Sequence, residues 1–369
     1  MNNPMVLIRC LTATVLFLLL AKVNIWTDTQ THLTLAVGYR ALLLAAPVFL
    51  YFGTSVGMRT SLVIGVLALM GMFVSINILT VGLFALSVAV SGYICKFVNA
   101  QSLKGAADNK VSLNVGSLIS GLLLMFIENK NMLLAISALA LLATAYFSFK
   151  IDWDSLTSFK AIENLEKKQK PLKALPLIGW ALIGIATGIK LTGVFTILPQ
   201  YLLHKSGNLP FWFGSMIVLN SLGVIFFQHR ILKFVASINY RWTLLFALSA
   251  MGLLALPEIL SVESLPSAIL WIVLLTLGEC ALSRYDKLAN DEGYLFPKEV
   301  MVGVGSFATV FLCREYGNMI YLSGSIGFGC MLLGTFLATP RTNQQALAKL
   351  KLNNNALNSH CLILRQTKA

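Results

Sequence analysis

The sequence is an almost unbroken succession of apolar runs, each near 20 residues long and parted by short polar joints. A helix of about 20 apolar residues crosses the hydrocarbon core of a bilayer. At that depth only helices and closed barrels satisfy their own backbone polar groups. Runs lie near 5–26, 33–53, 60–79, 80–99, 112–128 and 131–149, then near 176–203, 211–228, 242–260, 266–284, 299–317 and 319–338. They predict an all-α integral membrane protein with about twelve transmembrane helices. The first run is long and lacks a small-x-small cleavage site after Leu20, so it reads as a retained helix and not a signal peptide. Composition agrees: 57% of the 369 residues are hydrophobic and 12% charged, against about 45–50% and about 25% in soluble domains. A cytosolic globular enzyme, a disordered chain and a secreted disulfide scaffold are excluded.

The one long hydrophilic interruption, from Lys150 to Lys173, divides the runs six and six. The expected organisation is a six-helix half over 1–149, a central loop over 150–175, a second six-helix half over 176–338 and a tail over 339–369. With the N-terminus inside, 22 of the 28 basic residues fall on the inner face. The positive-inside rule then places both termini in the cytoplasm. The net charge of +13 becomes a topology signal spread over many joints, and a nucleic-acid partner is excluded. A faint repeat supports two related halves: Asn114-Val115-Gly116-Ser117 and Gly303-Val304-Gly305-Ser306 lie 189 residues apart. The six cysteines show no metal spacing, and no nucleotide loop, catalytic triad or metal-binding helix is present. Neither metal nor cofactor nor enzymatic activity is expected.

In its motifs the chain resembles the major facilitator superfamily of secondary transporters. The stretch LPQYLLHKSGNLPFWFGSMIVLNSLGVIFFQ (198–228) resembles the family's Pro-broken seventh helix, outer loop and eighth helix. FQHRILKFVASINYRWTLL, ending at Leu245, is similar to the second copy of its short cytoplasmic loop motif, and Gly57-Met58-Arg59 to the end of the first copy. Gly278-Glu279 matches a Gly-Glu pair of several efflux subfamilies. The resemblance implies gating-loop roles for Gly57, Arg59 and Arg241. It has departures. Thr54 and Ser55 in the first copy, and Ala236 and Ser237 in the second, stand where the family carries an acid and an arginine. The fourth-helix arginine is missing, and the fifth helix keeps Gly116 and Gly121 without a proline.

A charge inside a span costs roughly 2.5–3.5 kcal/mol on insertion scales and is a functional hypothesis by default. Glu279 stands in ILWIVLLTLGECAL with no basic neighbour in its own run; it is protonated, faces water or pairs across helices. Lys190 lies mid-run in LIGWALIGIATGIKLTGVFTI, placed to meet an anionic substrate or to pair with Glu279. Arg40 sits early in the second run, within snorkelling reach of the outer surface. Asn220 is a candidate substrate contact, with an interhelical hydrogen bond as its competing role. Phe195, Trp180 and Tyr201 are weaker cavity candidates. The expected function is proton-coupled export of a small anionic or zwitterionic organic solute, metabolite or siderophore-like, by alternating access. The expected protein is a monomer in the cell (inner) membrane, with the lipid bilayer, the solute and a proton as its partners. Loss of the loop acids motivates a rival: a non-transporting scaffold or sensor on a degenerate transporter fold.

Overall fold

A computed structural model describes residues 4–156, 173–197, 211–238, 243, 247, 265–315 and 320–338. Apolar runs of this length leave the backbone no partner but itself, and the described residues are almost wholly helical. They form α1 (Pro4–Trp26), α2 (Thr29–Ala36), α3 (Gly38–Ala41), α4 (Ala46–Tyr51), α5 (Thr54–Val74), α6 (Ile78–Asn99), α7 (Leu103–Phe126) and α8 (Lys130–Phe149). Then follow α9 (Trp153–Leu156), α10 (Ala174–Thr192), α11 (Phe211–Ser237), α12 (Leu265–Asp291), α13 (Leu295–Glu315) and α14 (Ile320–Leu337). Eight stretches among them are long and apolar enough to cross a membrane, and Leu322–Leu337 is a shorter apolar helix. Eleven of the twelve expected runs thus have a helical counterpart; the run at 242–260 lies outside the described residues apart from 243 and 247.

The joints are set by local chemistry. Asn77 caps α6, accepting from the Thr80 amide at 3.0 Å while the Thr80 hydroxyl accepts from the Asn77 amide at 3.1 Å. Ser102 and Asn129 cap α7 and α8 in the same manner. Gly53, at φ +99°, makes the turn before α5. The second crossing is not one helix: a 3₁₀ turn over Leu42–Ala45 parts α3 from α4, whose first turn holds Pro47. Three boundaries correct the sequence expectation. Helix α5 begins at Thr54, so Gly57 and Arg59 lie in its opening turns and not in a loop. Helix α7 begins at Leu103, so Lys104 and Lys110 are helical. Helix α12 runs to Asp291 and α13 starts at Leu295, so Arg284, Lys287 and Lys298 are helical too.

Lipid offers helices no hydrophobic drive to associate, so close backbone approach through small residues carries the packing. Helix α7 packs on α1 through Gly116, where a Cβ would strike Ala13 and the Cys10 carbonyl. Helix α10 packs on α13, where Gly184 and Gly188 meet the Lys298 and Val302 carbonyls and Gly305 meets that of Ile185. Gly116 and Gly305 are the matching positions of the 189-residue repeat, and both do the same job. Gly179 and Gly334 seat α14 on the other side of α10. Large apolar side chains such as Leu67, Met70, Phe126, Phe226 and Phe307 point outward, a surface suited to lipid.

Gly188→Val is expected to force α10 from α13, costing about 1–3 kcal/mol as overpacking does, seen as a lower unfolding midpoint in detergent. Gly121→Ala, with open space around it, is expected not to lower the midpoint.

Candidate functional site

Helix α10 presents its glycine face to α13, which turns Lys190 into the interior, where it is fully buried. A π-helical turn over Gly193–Ile197 follows within the same run; such turns are frequent at functional sites. Across from it, Glu279 of α12 is 2% exposed. The Lys190 Nζ donates to Glu279 Oε1 at 2.8 Å. The other oxygen is not free: Lys110 of α7 brings its Nζ to within 3.4 Å of Glu279 Oε2. Two ammonium groups therefore hold one carboxylate, one on each oxygen, and the trio carries a net charge of +1. Lys190 and Glu279 follow the central segment in the chain and Lys110 precedes it.

Polar groups continue around the trio. One turn before Glu279, the Thr276 hydroxyl donates to Asn220 Oδ1 of α11 at 3.0 Å, and the Asn220 amide nitrogen, buried, has no partner among the described residues. Gln228 Nε2 of α11 donates to the Cys280 carbonyl at 3.2 Å and to Ser283 Oγ at 3.3 Å. Arg40 does not reach for a surface. Its Nη1 donates to Ser306 Oγ of α13 at 2.6 Å, and Ser306 donates to the Gly188 carbonyl, two residues before Lys190. Its Nε donates to Tyr39 Oη at 2.6 Å, which turns the side chain back along α3.

A second ionic cluster lies where α6 and α12 end and α13 begins, the end of the bundle that also holds the first turn of α1. Lys96 of α6 contacts Asp286 at 3.0 Å and Glu299 at 2.8 Å. Lys298, 1% exposed, contacts Asp286 at 2.5 Å and Glu299 at 2.9 Å. Four ion-paired groups here balance two against two. Beside them Tyr93 of α6 meets Phe296 of α13 edge to face at 5.6 Å, and His229 of α11 contacts Asp108 of α7 at 3.1 Å. Arg284 is buried at the C-terminus of α11, donating to the Val235 and Ile238 carbonyls and to Thr243 Oγ1; it closes helix-end carbonyls that would otherwise lack partners.

No family model and no curated protein matches the sequence. Solved structures do. The chain superposes on the FucP transporter in its outward conformation with a TM-score of 0.64 at 13% identity, covering 91% of this chain and 98% of that one. The fold is that of the major facilitator superfamily. The human organic anion transporter MFSD10 (TETRAN) gives 0.61 at 15% identity, with 91% and 98% covered. A variant of the E. coli fucose:proton symporter FucP gives 0.61 at 14%, with 91% and 97% covered. Counted along the major facilitator fold, Lys110 stands on the fifth crossing, Lys190 on the seventh, Glu279 on the tenth, and Arg40 and Ser306 on the second and eleventh.

Sequence reasoning therefore picked two members of the trio and missed Lys110, which stands seven residues into a helix whose start reads as a joint. Trp180 is no cavity residue: it is buried edge to face against Tyr285 at 6.4 Å, with its indole N–H on Glu292. Arg241, Tyr201 and the side chain of Phe195 lie outside the described residues. The acid lacking from the first loop copy has a substitute. Asp154 of α9 places Oδ1 on the amides of Thr54 at 2.7 Å and Ser55 at 3.1 Å, capping α5 from a hundred residues away. Partial burial works to raise its pKa, but the bonds from Ser55 and Thr54 and the charge of Arg59 outweigh it and hold the carboxyl below its ordinary value. A depressed carboxylate stabilises the fold above its unfolded pKa, and that contribution fades as pH falls through the folded value.

Asp154→Asn is expected to remove most of this cap, worth about 1 kcal/mol, read as faster hydrogen exchange at the Thr54 and Ser55 amides. In the wild type the protection factors of the same amides are expected to fall only at acid pH. At the ionic cluster, Lys298→Met is expected to lower the unfolding midpoint, costing less than the roughly 3–5 kcal/mol of a fully broken buried pair, because Asp286 and Glu299 are partly exposed and both keep Lys96. Adding Glu299→Gln recovers part of that loss in a double-mutant cycle of unfolding midpoints.

Proposed function

We propose that this chain is a secondary transporter that carries a small organic anion or zwitterion together with proton movement, by alternating access. The observation that carries the reading is the positively charged trio of buried Lys190 and Glu279 with partly buried Lys110, between crossings of a major facilitator fold. Buried ionisable groups at membrane depth mark substrate and proton pathways. Transporters built from repeated halves hold their substrate at the interface of the halves near the midplane. Here the chain before the central segment supplies Lys110 and the chain after it supplies Lys190 and Glu279. Similar structures include a fucose:proton symporter and an organic anion transporter, both compatible with a solute moved beside a proton.

In this reading Glu279 is the proton carrier. Ionised, it holds both lysines; protonated, it releases them for an anion. The ionic cluster of Lys96, Lys298, Asp286 and Glu299, with His229 and Asp108, joins the two halves at one end of the bundle and must part when that end opens. Arg40 and Asn220 flank the site as positioning groups. The basic joints orient that end, with both termini, towards the cytoplasm. Export is the direction favoured by the Gly278-Glu279 pair. The two halves, 1–149 and 176–338, are the moving units.

Two measurements test this. With the chain reconstituted in liposomes under a pH gradient, Glu279→Gln is expected to abolish gradient-driven solute flux; unchanged flux refutes the proton role. Thr187→Cys, one turn from Lys190 and buried in α10, is expected to react with an impermeant maleimide from each face in turn. A cysteine reached from one face only overturns alternating access and leaves the scaffold reading.

A further inference from the structure

Accepting the transporter reading, we infer that the Glu279 carboxylate occupies the place of a substrate carboxylate, held between Lys190 and Lys110, and that Lys110 is a substrate-binding residue. The geometry is that of a carboxylate receptor. Each oxygen meets its own ammonium group, at 2.8 Å and 3.4 Å, so the pair of cations is spaced for the two oxygens of one carboxyl group. The ammonium groups arrive from different directions, Lys190 from α10 and Lys110 from α7. Glu279 comes from a third helix and is the member that a proton can silence. Asn220 stands beside them with its amide nitrogen buried and unpartnered among the described residues, a donor left for a further acceptor on a bound molecule.

Charge accounting fixes the substrate class. With Glu279 ionised the trio carries +1. Protonation raises it to +2, and binding of a monocarboxylate returns it to +1. A monoanion entering with one proton thus leaves the buried charge unchanged, whereas a dianion would cancel it and a neutral solute would leave +2 buried. The site therefore selects monocarboxylates of net charge −1, and the coupled step is electroneutral: one proton to the Glu279 carboxylate, one carboxylate to the lysines. The groups facing Glu279 are Lys190 from α10, Lys110 from α7 and, on its own helix, Cys280; Asn220 and Gln228 come from α11, and the His229–Asp108 pair lies nearer the bundle end.

The test is chemical rescue on the purified full chain. Propionate reproduces the Cβ, Cγ and carboxylate of a glutamate side chain, and propionamide has the same shape without the charge. In Glu279→Ala, propionate at ten times its Kd is expected to raise the unfolding midpoint by about 2–4 °C, and propionamide is expected to do nothing. Adding Lys110→Met to Glu279→Ala is expected to abolish the shift. Should Glu279→Ala not fold, the wild type serves: propionate is expected to raise its midpoint at pH 5 and not at pH 8, and Lys110→Met to remove the effect. Equal effects of the two probes, or a shift that survives Lys110→Met, overturn the inference. Rescue without proton-driven flux in liposomes keeps the carboxylate site and refutes transport. Flux without rescue keeps transport and refutes the carboxylate site.

Discussion

Three charges meet among the helices, Lys190 and Glu279 buried and Lys110 partly so, and they do not cancel. At an effective dielectric constant of about 20, each lysine attracts the Glu279 carboxylate by roughly 5 kcal/mol. Removing each ion from water costs several kcal/mol, and the two lysines repel one another. Three desolvation terms stand against two attractions, so this trio is not a device for stability. Apolar side chains of similar volume would serve a membrane bundle as well or better. An excess of one positive charge among these helices is the imbalance on which the proposed anion site rests.

The surrounding helices keep the imbalance in place. Lys190 is exposed to nothing because α10 is clasped on one side by α13 and on the other by α14, through glycines that bring backbones together. The same clasp sets Ser306 beside the Gly188 carbonyl, where Arg40 reaches it. Towards one end of the bundle Lys96 and Lys298 pair with Asp286 and Glu299, and the Arg9 guanidinium adds its charge near Glu299. Both clusters hang on α12, which carries Glu279 and Asp286.

How far the sequence reached depended on contrast. A lone charge inside a run of Leu, Ile and Val stands out, so Lys190 and Glu279 were legible, and so was the succession of membrane helices. Lys96, Lys110, Arg284 and Lys298 were hidden by their position. They lie near helix ends, where polar joints are expected, and the joints proved only a few residues long: α6 ends at Asn99 and α7 begins at Leu103. All four were counted as inner-loop charge, yet each is held inside the bundle by a carboxylate or by backbone carbonyls. Helical periodicity places a residue on a face but does not say which helix it meets. Arg40 therefore read as a snorkelling group until α13 was found beside it.

The loop acids bear on whether the fold is still a working one. Their absence from Thr54-Ser55 and Ala236-Ser237 suggested decay. The N-terminus of α5 nevertheless has its carboxylate, delivered by Asp154 from beyond the sixth crossing. The C-terminus of α11 has its cation, delivered by Arg284 from the tenth. Both helix ends that flank the degenerate motifs are satisfied by charges drawn from other elements. Each end keeps a charged partner although the motif residue is missing, because the fold brings Asp154 to one helix end and Arg284 to the other.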